Sequence, residues 1–398
     1  MTYPDRHTLV RRVNAQRVLE DILEHGPTTR VEVAERTELS KPTVNTLVAK
    51  LVEDGIVRQE GQTTGGVGRS ATVYAVETRA RLVAGIDLGG TKLRIAVADL
   101  DGKIIAEGVE PTDRRGGKAV LGQINRLSRQ LVTETGEDWG KVAIASLSAP
   151  GVFEPDSDHM DLAFNIPGFG KLALRAELEA ALRVPVAIDN DVNLAAEGER
   201  WGGMAREVDD FAFIAIGTGI GMGLVSGGQV VHGGRGAAGE IAYLPIGADP
   251  FTHPEVLERG PLEEVAAASG IVAAFHAQLD AGTNSRLDHD ATVADIFAAA
   301  DDDPAALAVV NQEARWLALA IAAVAAVVDP TLFVLGGGIG SNPRLAPMIR
   351  THLKTIAPFD IDVQTSPLGE RASTIGAIAA GLALAKRDLF SELGDNDG

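Results

Sequence analysis

The sequence predicts an α/β protein built from a small helical head, residues 1–80, and a two-lobed α/β body, residues 81–398. Two observations predict this division. Apolar residues recur with helical spacing in three segments of the head, and a pair of β-like runs follows them. In the body, an apolar strand followed by a glycine loop and a second strand occurs twice, which indicates a duplicated architecture of two lobes.

The charge of the chain is divided in the same way. The chain of 398 residues has a formal net charge of −19. Residues 1–80 contain 11 basic and 11 acidic residues, so the whole negative charge lies in the body. Because an acidic body repels the phosphates of nucleic acids and membranes, we expect any DNA contact to come from the head, and we expect no membrane partner.

The composition excludes several kinds of chemistry. The chain has no cysteine, which rules out disulfides, thiolate metal sites and a cysteine nucleophile. The longest apolar run, Trp316–Val328, is too short to span a bilayer and predicts a buried helix. Because the first residues do not resemble a secretion signal, a cytoplasmic location is expected.

Three helices are predicted in the head. The first covers about Thr8 to Glu24 and ends near a Gly-Pro pair. Thr28 or Thr29 can cap the second helix, and Ser40, a favourable N-cap residue, begins the third. Apolar residues of the third helix recur at i, i+3, i+4 and i+7, so this face is buried. The opposite face is polar and basic, which suits base edges and phosphates.

A hairpin is predicted after the third helix. Two β-like runs, Ile56–Arg58 and Ala71–Val76, flank a glycine-rich loop that ends in Arg69. A loop of this kind can reach a minor groove or a phosphate. The order of elements resembles the winged helix-turn-helix at the front of many bacterial repressors, and a generic three-helix interaction module is the alternative. The residues predicted to contact DNA are Arg30, Ser40, Lys41, Thr43, Asn45, Thr46, Lys50 and Arg69.

Two glycine loops follow strands in the body. Leu82–Ile86 leads into Asp87-Leu-Gly-Gly-Thr91, and Phe211–Ile216 leads into Gly217-Thr-Gly. Glycines after a strand let backbone N–H groups approach phosphate oxygens, and an adjacent aspartate can hold Mg²⁺ through water. A third glycine run, 336–340, can lie flat against an adenine. Each loop can instead be only a tight turn.

Carboxylates supply the remaining candidates. An apolar strand delivers Asp189, Asn190 and Asp191 to the start of a helix, where polar groups commonly contact ligands. A carboxylate there can accept a hydroxyl proton as an alcohol attacks a phosphate. The alternative is an N-cap cluster, which we favour for Asp189. Glu240 and Glu263 suit sugar hydroxyls, although either can be a solvated surface acid.

With these motifs in place, the body resembles a known family. Residues 81–398 are similar to the ROK family of repressors and kinases, within the actin- and hexokinase-like superfamily. The matching stretches are 87–91, Ala149-Pro-Gly151, Asn165-Ile-Pro-Gly168, Asn190-Asp191, 217–221, Ala238-Gly-Glu240 and Gly336-Gly-Gly338. With the head included, the layout is similar to ROK repressors of sugar catabolism, whereas stand-alone ROK kinases lack a head.

The resemblance implies roles for individual residues. Asp191 would be the catalytic base if the protein is a kinase. The residues implied in sugar binding are Asn165, Asn190, Asp191, Glu240, Tyr243 and Glu263. The residues implied in nucleotide binding are Asp87, Gly89, Gly90, Thr91, Lys92, Gly217, Thr218, Gly219, Gly337 and Gly338.

The sequence departs from the family pattern at one place. The family usually has a histidine three residues after the glutamate of the Ala-Gly-Glu motif, followed by three cysteines, and together they bind a structural zinc ion. Here Tyr243 replaces the histidine, and the chain has no cysteine. We therefore expect no zinc and no required cofactor, and interpret His253 as a surface residue. ATP and Mg²⁺ would bind only if kinase activity is retained.

The predicted function is that of a sugar-responsive transcription regulator, most simply a repressor. Its partners would be operator DNA, bound by the head, and a monosaccharide or sugar derivative, bound by the body. A homodimer or homotetramer is expected, because two heads double the phosphate contacts on a palindromic site. The alternatives are an ATP-dependent sugar kinase with an attached DNA-binding head, and an interaction scaffold that does not bind DNA.

Overall fold

The computed structural model describes residues 6–63, 70–154, 159–161, 166–169, 172–247 and 249–395. The chain divides into two compact units. The first unit comprises Met1–Leu147, Ile166–Ile188 and Ile378–Gly398, and the second comprises Ser148–Asn165 and Asp189–Ala377. The first unit therefore contains the head together with part of the body, and the domain boundary at residue 80 remains a prediction.

Helices and strands alternate through both units. The α-helices are α1 (Arg6–His25), α2 (Arg30–Thr37), α3 (Lys41–Glu53), α4 (Gly117–Glu134), α5 (Leu174–Leu182), α6 (Asp191–Gly202), α7 (Pro261–Ala266), α8 (Ala268–Asp280), α9 (Val293–Ala299), α10 (Pro304–Val328), α11 (Gly337–Gly340), α12 (Leu345–Ile356) and α13 (Ala372–Asp395). The β-strands are β1 (Thr28–Thr29), β2 (Val57–Gln62), β3 (Thr72–Val76), β4 (Leu82–Leu88), β5 (Lys92–Asp99), β6 (Ile104–Pro111), β7 (Val142–Ala149), β8 (Val152–Glu154), β9 (His159–Asp161), β10 (Val186–Asn190), β11 (Phe211–Ile216), β12 (Ile220–Ser226), β13 (Gln229–Val230), β14 (Leu332–Gly336) and β15 (Val363–Thr365). This is the mixed α/β fold that the sequence predicts.

The head begins with the three predicted helices. The Thr29 hydroxyl accepts a hydrogen bond from the N–H of Glu32 (3.3 Å), and the Glu32 carboxylate accepts one from the N–H of Thr29 (2.8 Å). This reciprocal pair is a capping box that starts α2. Ser40 caps α3 as predicted, with a proline in the first turn. Thr28 and Thr29 also form β1, which is too short to leave a strand pattern in the sequence.

The predicted hairpin follows α3. β2 and β3 pair antiparallel, with Val57 opposite Val76 and Gln62 opposite Thr72. With β1 they form a three-stranded sheet in the order β1-β3-β2. The loop residues 64–69, and with them Arg69, lie outside the described residues. The helices and strands of the head are therefore those of a winged helix-turn-helix.

The core of the head includes residues from the far end of the chain. Val18, Leu19 and Leu51 are fully buried in this core. Leu389 and Phe390 of α13 pack in the same cluster and are only 5% and 6% exposed. The sequence did not predict this contact, because periodicity within a helix does not say which distant segment covers its apolar face.

Each unit contains one five-stranded sheet. The strand order is β10-β7-β4-β5-β6 in the first unit and β13-β12-β11-β14-β15 in the second. In both, three consecutive strands form an antiparallel meander, and two later strands extend the sheet beside the first strand of that meander. The two glycine loops occupy equivalent places, between β4 and β5 and between β11 and β12. The predicted duplication is therefore confirmed.

The most apolar helix lies in the second unit. By its length and mean hydropathy of 1.3, α10 passes a test for membrane-spanning helices, yet 50% of the apolar stretch is buried within the protein. Its residues pack with Phe275, Phe333 and Leu335 in the main core of this unit. The run 316–328 is thus part of a core helix, as predicted.

Candidate functional site

Several residues predicted to bind sugar and nucleotide line one cavity of the second unit. Its volume is about 290 Å³. Its walls come mainly from the start of α6, the turn between β11 and β12, and α7. The lining residues are Pro150, Gly151, Asn190, Asp191, Val192, Ala215, Ile216, Gly217, Thr218, Gly219, Ile220, Gly221, Glu240, Glu263 and Gly337. All of them belong to the second unit.

Asn190 fixes the beginning of α6. Its side-chain oxygen accepts hydrogen bonds from the N–H groups of Val192 (2.9 Å) and Asn193 (3.3 Å). Its amide nitrogen donates to the carbonyl of Gly151 (2.8 Å). The N-cap residue is therefore Asn190 and not Asp189, which still belongs to β10. Because both ends of its amide are used by the protein, Asn190 has less capacity to bond a sugar than the sequence suggested.

Asp191 is the first residue of α6 and is half-buried in the cavity wall. Its Oδ1 accepts a hydrogen bond from the N–H of Val192 (2.9 Å). Burial raises the pKa of Asp191 above its ordinary value, because desolvation disfavours the charged carboxylate. A raised pKa makes this carboxylate a stronger base than an exposed aspartate, and its free lone pairs can accept from a hydroxyl.

Glu240 follows a glycine that the fold requires. Gly239 has φ +90°, and a Cβ at that position would lie 1.8 Å from the carbonyl oxygen of Met222. The carbonyl of Gly239 in turn accepts a hydrogen bond from the N–H of Met222 (3.0 Å), which ties this point to β12. Burial raises the pKa of Glu240, and the negative charges of Asp191 and Glu263 raise it further. The three carboxylates therefore act on one another within the cavity.

Glu263 connects α7 to the second glycine loop. Its Oε2 accepts a hydrogen bond from the N–H of Ile220 (3.0 Å), and a Cβ at Gly219 would lie 2.8 Å from the same oxygen. Arg259 donates to Oε1 of Glu263 (3.4 Å) and also to the carbonyl of Thr218 (3.4 Å). The sequence did not single out Arg259, because its partner Thr218 is 41 residues away along the chain.

The second glycine loop is a tight turn. The N–H of Gly217 donates to the carbonyl of Gly219 (2.9 Å), and the N–H of Ala268 donates to the carbonyl of Gly217 (2.9 Å). The loop is thus fixed both to itself and to the start of α8. Gly217, Thr218 and Gly219 all line the cavity with the carboxylates, so the structure brings this part of the predicted nucleotide site beside the predicted sugar site.

The first glycine loop belongs to the first unit. The N–H of Gly89 donates to the carbonyl of Lys92 (2.9 Å), which closes the turn between β4 and β5. Thr112 supports the loop, because its hydroxyl donates to the carbonyl of Gly89 (2.7 Å) and its N–H to the carbonyl of Thr91 (3.0 Å). The exposed residues of this loop are Gly90, Thr91 and Lys92, and the half-buried ones are Asp87 and Gly89.

The third glycine run forms the short helix α11. Gly337 has φ +78°, and a Cβ there would lie 2.5 Å from the carbonyl oxygen of Ile216, so only glycine fits. Gly338 lines a second, mostly apolar cavity of about 450 Å³. The other lining residues are Val293, Ala294, Phe297, Ala298, Ile339, Asn342, Pro343 and Arg344. An apolar cavity suits a flat aromatic ring, and the assignment of this glycine run to adenine remains a prediction.

The remaining predicted sugar contacts are less enclosed. Tyr243 is 40% exposed and is not among the residues that line the 290 Å³ cavity. Burial raises the pKa of Tyr243, and the negative charges of Glu240 and Glu263 raise it further. Asn165 lies outside the described residues. His253 is exposed, 3.1 Å from Glu255, as expected of a surface residue.

The described parts of the chain contain no group of three histidine, cysteine, aspartate or glutamate residues that could hold a metal ion. The donors that the ROK resemblance associates with zinc are also absent from the sequence, since Tyr243 stands at the histidine position and cysteine is missing altogether. The residues present therefore do not fit a structural zinc ion.

Sequence reasoning missed His232, which contacts Asp189, two residues before Asp191 of the cavity. Its Nε2 is 2.9 Å from Oδ2 of Asp189. The hydrogen bond to this carboxylate favours the protonated ring and so raises the pKa of His232. Oδ1 of Asp189 accepts hydrogen bonds from the N–H of Asn190 (2.7 Å) and from the side-chain amide of Asn193 (3.1 Å). A lone histidine 43 residues from its partner leaves no signal in a single sequence.

The predicted DNA-contacting residues lie in the head. Lys41, Asn45 and Thr46 are exposed on α3. The hydroxyls of Ser40 and Thr43 bond each other (2.7 Å) at the exposed start of the helix. Two basic residues also serve the fold. Lys50 forms an ion pair with Asp54 (2.9 Å), and Arg30 packs over the ring of Tyr74 (4.8 Å).

Comparison with known proteins agrees with this architecture. A sequence model of the ROK family matches residues 83–386, and a model of winged helix-turn-helix DNA-binding domains matches residues 12–58. A glucokinase of Halalkalibacterium halodurans is 32% identical over 310 residues, which cover 74% of this chain and 93% of the glucokinase. A xylose repressor of Caldicellulosiruptor bescii is 24% identical over 389 residues, which cover 94% of this chain and 96% of the repressor.

Two solved structures extend the comparison. A ROK family transcriptional regulator, a homologue of the Escherichia coli Mlc protein, superposes with a TM-score of 0.78 and 25% identity over 97% of this chain and 100% of its own. A ROK family glucokinase from Streptomyces griseus, in complex with glucose and AMPPNP, superposes with a TM-score of 0.62 and 25% identity over 75% of this chain and 99% of its own. The chain therefore belongs to the ROK family and carries a winged helix-turn-helix DNA-binding domain ahead of its ROK body.

Proposed function

We propose that this protein is a sugar-responsive transcription regulator that acts as a repressor. The head binds operator DNA, and the cavity of the second unit binds a monosaccharide or sugar derivative as the effector. One observation carries the proposal: the same chain joins a winged helix-turn-helix with an exposed polar helix face to a small cavity that contains three carboxylates. Similarity over nearly the whole chain to a xylose repressor and to a ROK transcriptional regulator supports it.

The chemistry of the cavity suits a sugar. Asp191, Glu240 and Glu263 provide carboxylate oxygens, which accept hydrogen bonds from hydroxyl groups. Hydrogen bonds to charged acceptors are stronger than those between neutral groups, so a few of them can orient a polyol. A cavity of about 290 Å³ is at the small end of ligand sites, which favours a monosaccharide over a larger ligand.

The face of α3 suits operator DNA. Asn45 is exposed, and an asparagine in the major groove can form two hydrogen bonds to an adenine. Lys41 is exposed at the start of the helix, where it can reach a phosphate. We infer that the protein binds DNA as a homodimer or homotetramer in the cytoplasm, because a symmetric pair of heads matches a palindromic site.

The first experiment measures thermal stability of the full-length protein with D-glucose, D-xylose, N-acetyl-D-glucosamine and their phosphates. A ligand present at about 100 times its Kd adds about 2.7 kcal/mol of stability, which gives a clear rise in Tm. We expect one of these sugars to raise the Tm, and Glu240→Gln to abolish the rise. If none of them raises the Tm of a folded preparation, the cavity is not a site for these sugars.

A second experiment connects the sugar to DNA. DNA sequences that the full-length protein retains are selected from a random pool, and binding to the best sequence is measured with and without the stabilising sugar. We expect the sugar to change DNA affinity by about 5- to 150-fold, which is the usual range of coupling between two sites. We expect Asn45→Ala to weaken DNA binding and leave the sugar-induced rise in Tm unchanged. Unchanged DNA affinity in the presence of a bound sugar would exclude a role for that sugar as effector.

A sugar kinase is the second candidate function. The raised pKa of Asp191 favours it, since a general base works best when its pKa approaches the working pH. In that case ATP is the phosphate donor, as the bound AMPPNP of the S. griseus glucokinase suggests, and Mg²⁺ neutralises its phosphates. Asp191→Asn separates the two functions: a kinase loses turnover of ATP with D-glucose by orders of magnitude, whereas a sensor changes only in sugar affinity.

A further inference from the structure

The segment that leads to Glu240 is rich in glycine and has few side-chain anchors. Residues 232–240 follow β13, and three of them, Gly233, Gly236 and Gly239, have φ values of +76°, +72° and +90°. Such residues adopt many conformations in a free chain, so the native arrangement needs external fixation. The Gly239 carbonyl is fixed by the N–H of Met222 (3.0 Å) at the end of the segment. At the start of the segment, the fixation comes from His232.

The contacts of His232 favour a positively charged ring. Its Nε2 faces the Asp189 carboxylate at 2.9 Å, and the backbone of Val230 also favours the protonated ring. Glu197 of α6 adds a second negative charge near the ring, and both the charges and the hydrogen bonds raise the pKa of His232 against the opposing effect of burial. Of the basic residues nearby, Arg200 is 3.7 Å from Glu197 and Arg235 is exposed on the segment itself.

The contact between His232 and Asp189 links two parts of the chain that each carry a carboxylate of the cavity, Glu240 and Asp191. The carbonyl of His232 accepts a hydrogen bond from the N–H of Ala238 (3.1 Å), so the position of His232 is linked to the residues just before Glu240. Asp189 lies two residues before Asp191. Its Oδ1 accepts a hydrogen bond from the side-chain amide of Asn193 (3.1 Å) in the first turn of α6. A single ion pair therefore joins the segment that carries Glu240 to the end of β10, directly before the helix that begins with Asp191.

We propose that His232 is a positioning residue. Its imidazolium fastens the segment 232–240 to Asp189 and thereby holds Glu240 and Asp191 in the arrangement that binds the effector. Effector binding therefore depends on pH. This inference rests on the proposed sugar-binding function of the cavity. The direction follows from the charge. At low pH the ring is protonated and the segment is fastened, and as the pH rises through the raised pKa of His232, the ion pair is lost and binding weakens.

The fastening itself is measured without a sugar. Hydrogen–deuterium exchange of the full-length protein is recorded at pH 6.0 and pH 8.5, with intrinsic exchange rates corrected for pH. We expect the amides of residues 232–240 to be several-fold better protected at pH 6.0 than at pH 8.5 in the native protein, and equally unprotected at both in His232→Gln. The matched control is His253→Gln, which removes a surface histidine at 3.1 Å from an acid and should behave like the native protein. Equal protection of the native segment at both pH values overturns the proposal.

The effect on the effector is measured by titration with D-glucose, D-xylose and N-acetyl-D-glucosamine at the same two pH values. We expect the Kd of the binding sugar to rise about two- to fivefold from pH 6.0 to pH 8.5, because the ion pair that is lost is partly exposed to solvent, with the His232 side chain 53% exposed. In His232→Gln and in Asp189→Asn this dependence should vanish, with the Kd near its high-pH value. A pH-independent Kd in the native protein, or full pH dependence in His232→Gln, overturns the proposal. If none of the three sugars binds at either pH, the proposed function fails for them, and the exchange experiment still decides whether His232 fastens the segment.

Discussion

Glu313 is a buried carboxyl group that has no hydrogen-bond partner among the described residues. It lies in the middle of α10, is 2% exposed, and neither of its carboxylate oxygens has a hydrogen-bond partner within the described parts of the chain. Burial therefore raises the pKa of Glu313 well above its ordinary value, so the group is neutral in the folded protein. An unpaired polar group in an apolar core costs about 1–3 kcal/mol.

Glu313→Leu should stabilise the protein, and the gain should grow with pH. In the unfolded chain this carboxyl ionises near pH 4.5, whereas in the folded protein it keeps its proton. The free energy of unfolding of the native protein therefore falls as the pH rises above the pKa that Glu313 has in the unfolded chain. The fall is at most about 1.4 kcal/mol per pH unit, because one proton is involved. Urea unfolding at pH 5.0 and pH 7.5 measures the difference. Glu264→Leu, at an exposed position of α7, is the control and should show no such trend.

Arg259 offers a second test at the scale of one residue. Its guanidinium bonds the Thr218 carbonyl (3.4 Å), the Ser269 hydroxyl (3.0 Å) and the Glu263 carboxylate (3.4 Å), so it holds the second glycine loop against α7 and α8. Arg259→Ala should weaken sugar binding several-fold while the Tm changes little, because the side chain is 44% exposed. Arg286→Ala, which breaks an exposed ion pair with Asp302 at 3.0 Å, is the control. Equal sugar affinity in both variants would show that the contacts of Arg259 with the second glycine loop do not contribute to sugar binding.

The sequence predicted some of the candidate site and missed the rest for a physical reason. Asp191, Glu240 and Glu263 were found because each follows a strand or loop whose local pattern is visible in the sequence. His232 and Arg259 were missed because their significance comes from partners 43 and 41 residues away, and a single sequence does not record such contacts. Asn190 was found, but its role as N-cap became clear only from the direction of its side chain.

At the scale of elements, the prediction succeeded where a signal is local. The capping residue Ser40 and the two strands of the hairpin were placed within a few residues of their observed ends. The strand β1 was missed, because two residues carry no periodicity. The end of α13 was also missed as part of the head, because an amphipathic helix can cover any apolar surface of matching shape.

The contribution of α13 to the head is testable. Leu389 and Phe390 are buried in the head core, so the double change to alanine should cost about 3 kcal/mol or more through lost burial and a cavity. We expect faster hydrogen exchange in α1–α3 and weaker binding to the selected DNA, with the sugar-induced rise in Tm preserved. Leu382→Ala is the matched control. It removes a leucine of the same helix that is 4% exposed and packs with Val83 and Ile144 instead. If both variants changed hydrogen exchange in α1–α3 and DNA binding equally, α13 would affect the head only through the overall stability of the protein.

At the scale of the whole molecule, the duplicated strand order was visible in the sequence, but the division of the chain was not. Each glycine loop stands between the first two strands of a meander, so two similar patterns predicted two similar sheets. The chain passes between the two compact units at residues 147–148, 165–166, 188–189 and 377–378. Three of these crossings, 147–148, 188–189 and 377–378, lie within β7, β10 and α13, so they have no linker composition that a sequence could reveal.

The distribution of charge between the head and the body predicts how DNA affinity depends on salt. The basic side chains of the head bind phosphates and release counterions, so DNA affinity should fall as salt rises. Salt also screens the repulsion between DNA and the body, which carries the whole −19, and this makes the fall less steep. Each lost phosphate contact reduces the slope of log K against log salt by about 0.9. Lys41→Ala should therefore lower the slope by about 2 in a homodimer with two heads. Asn45→Ala should weaken binding at every salt concentration without changing the slope, since a base contact releases no counterions. Lys354→Ala, an exposed lysine of the second unit, is the control for total charge. If it changed the slope as much as Lys41→Ala, the long-range field of the body, and not contacts of α3, would govern DNA binding.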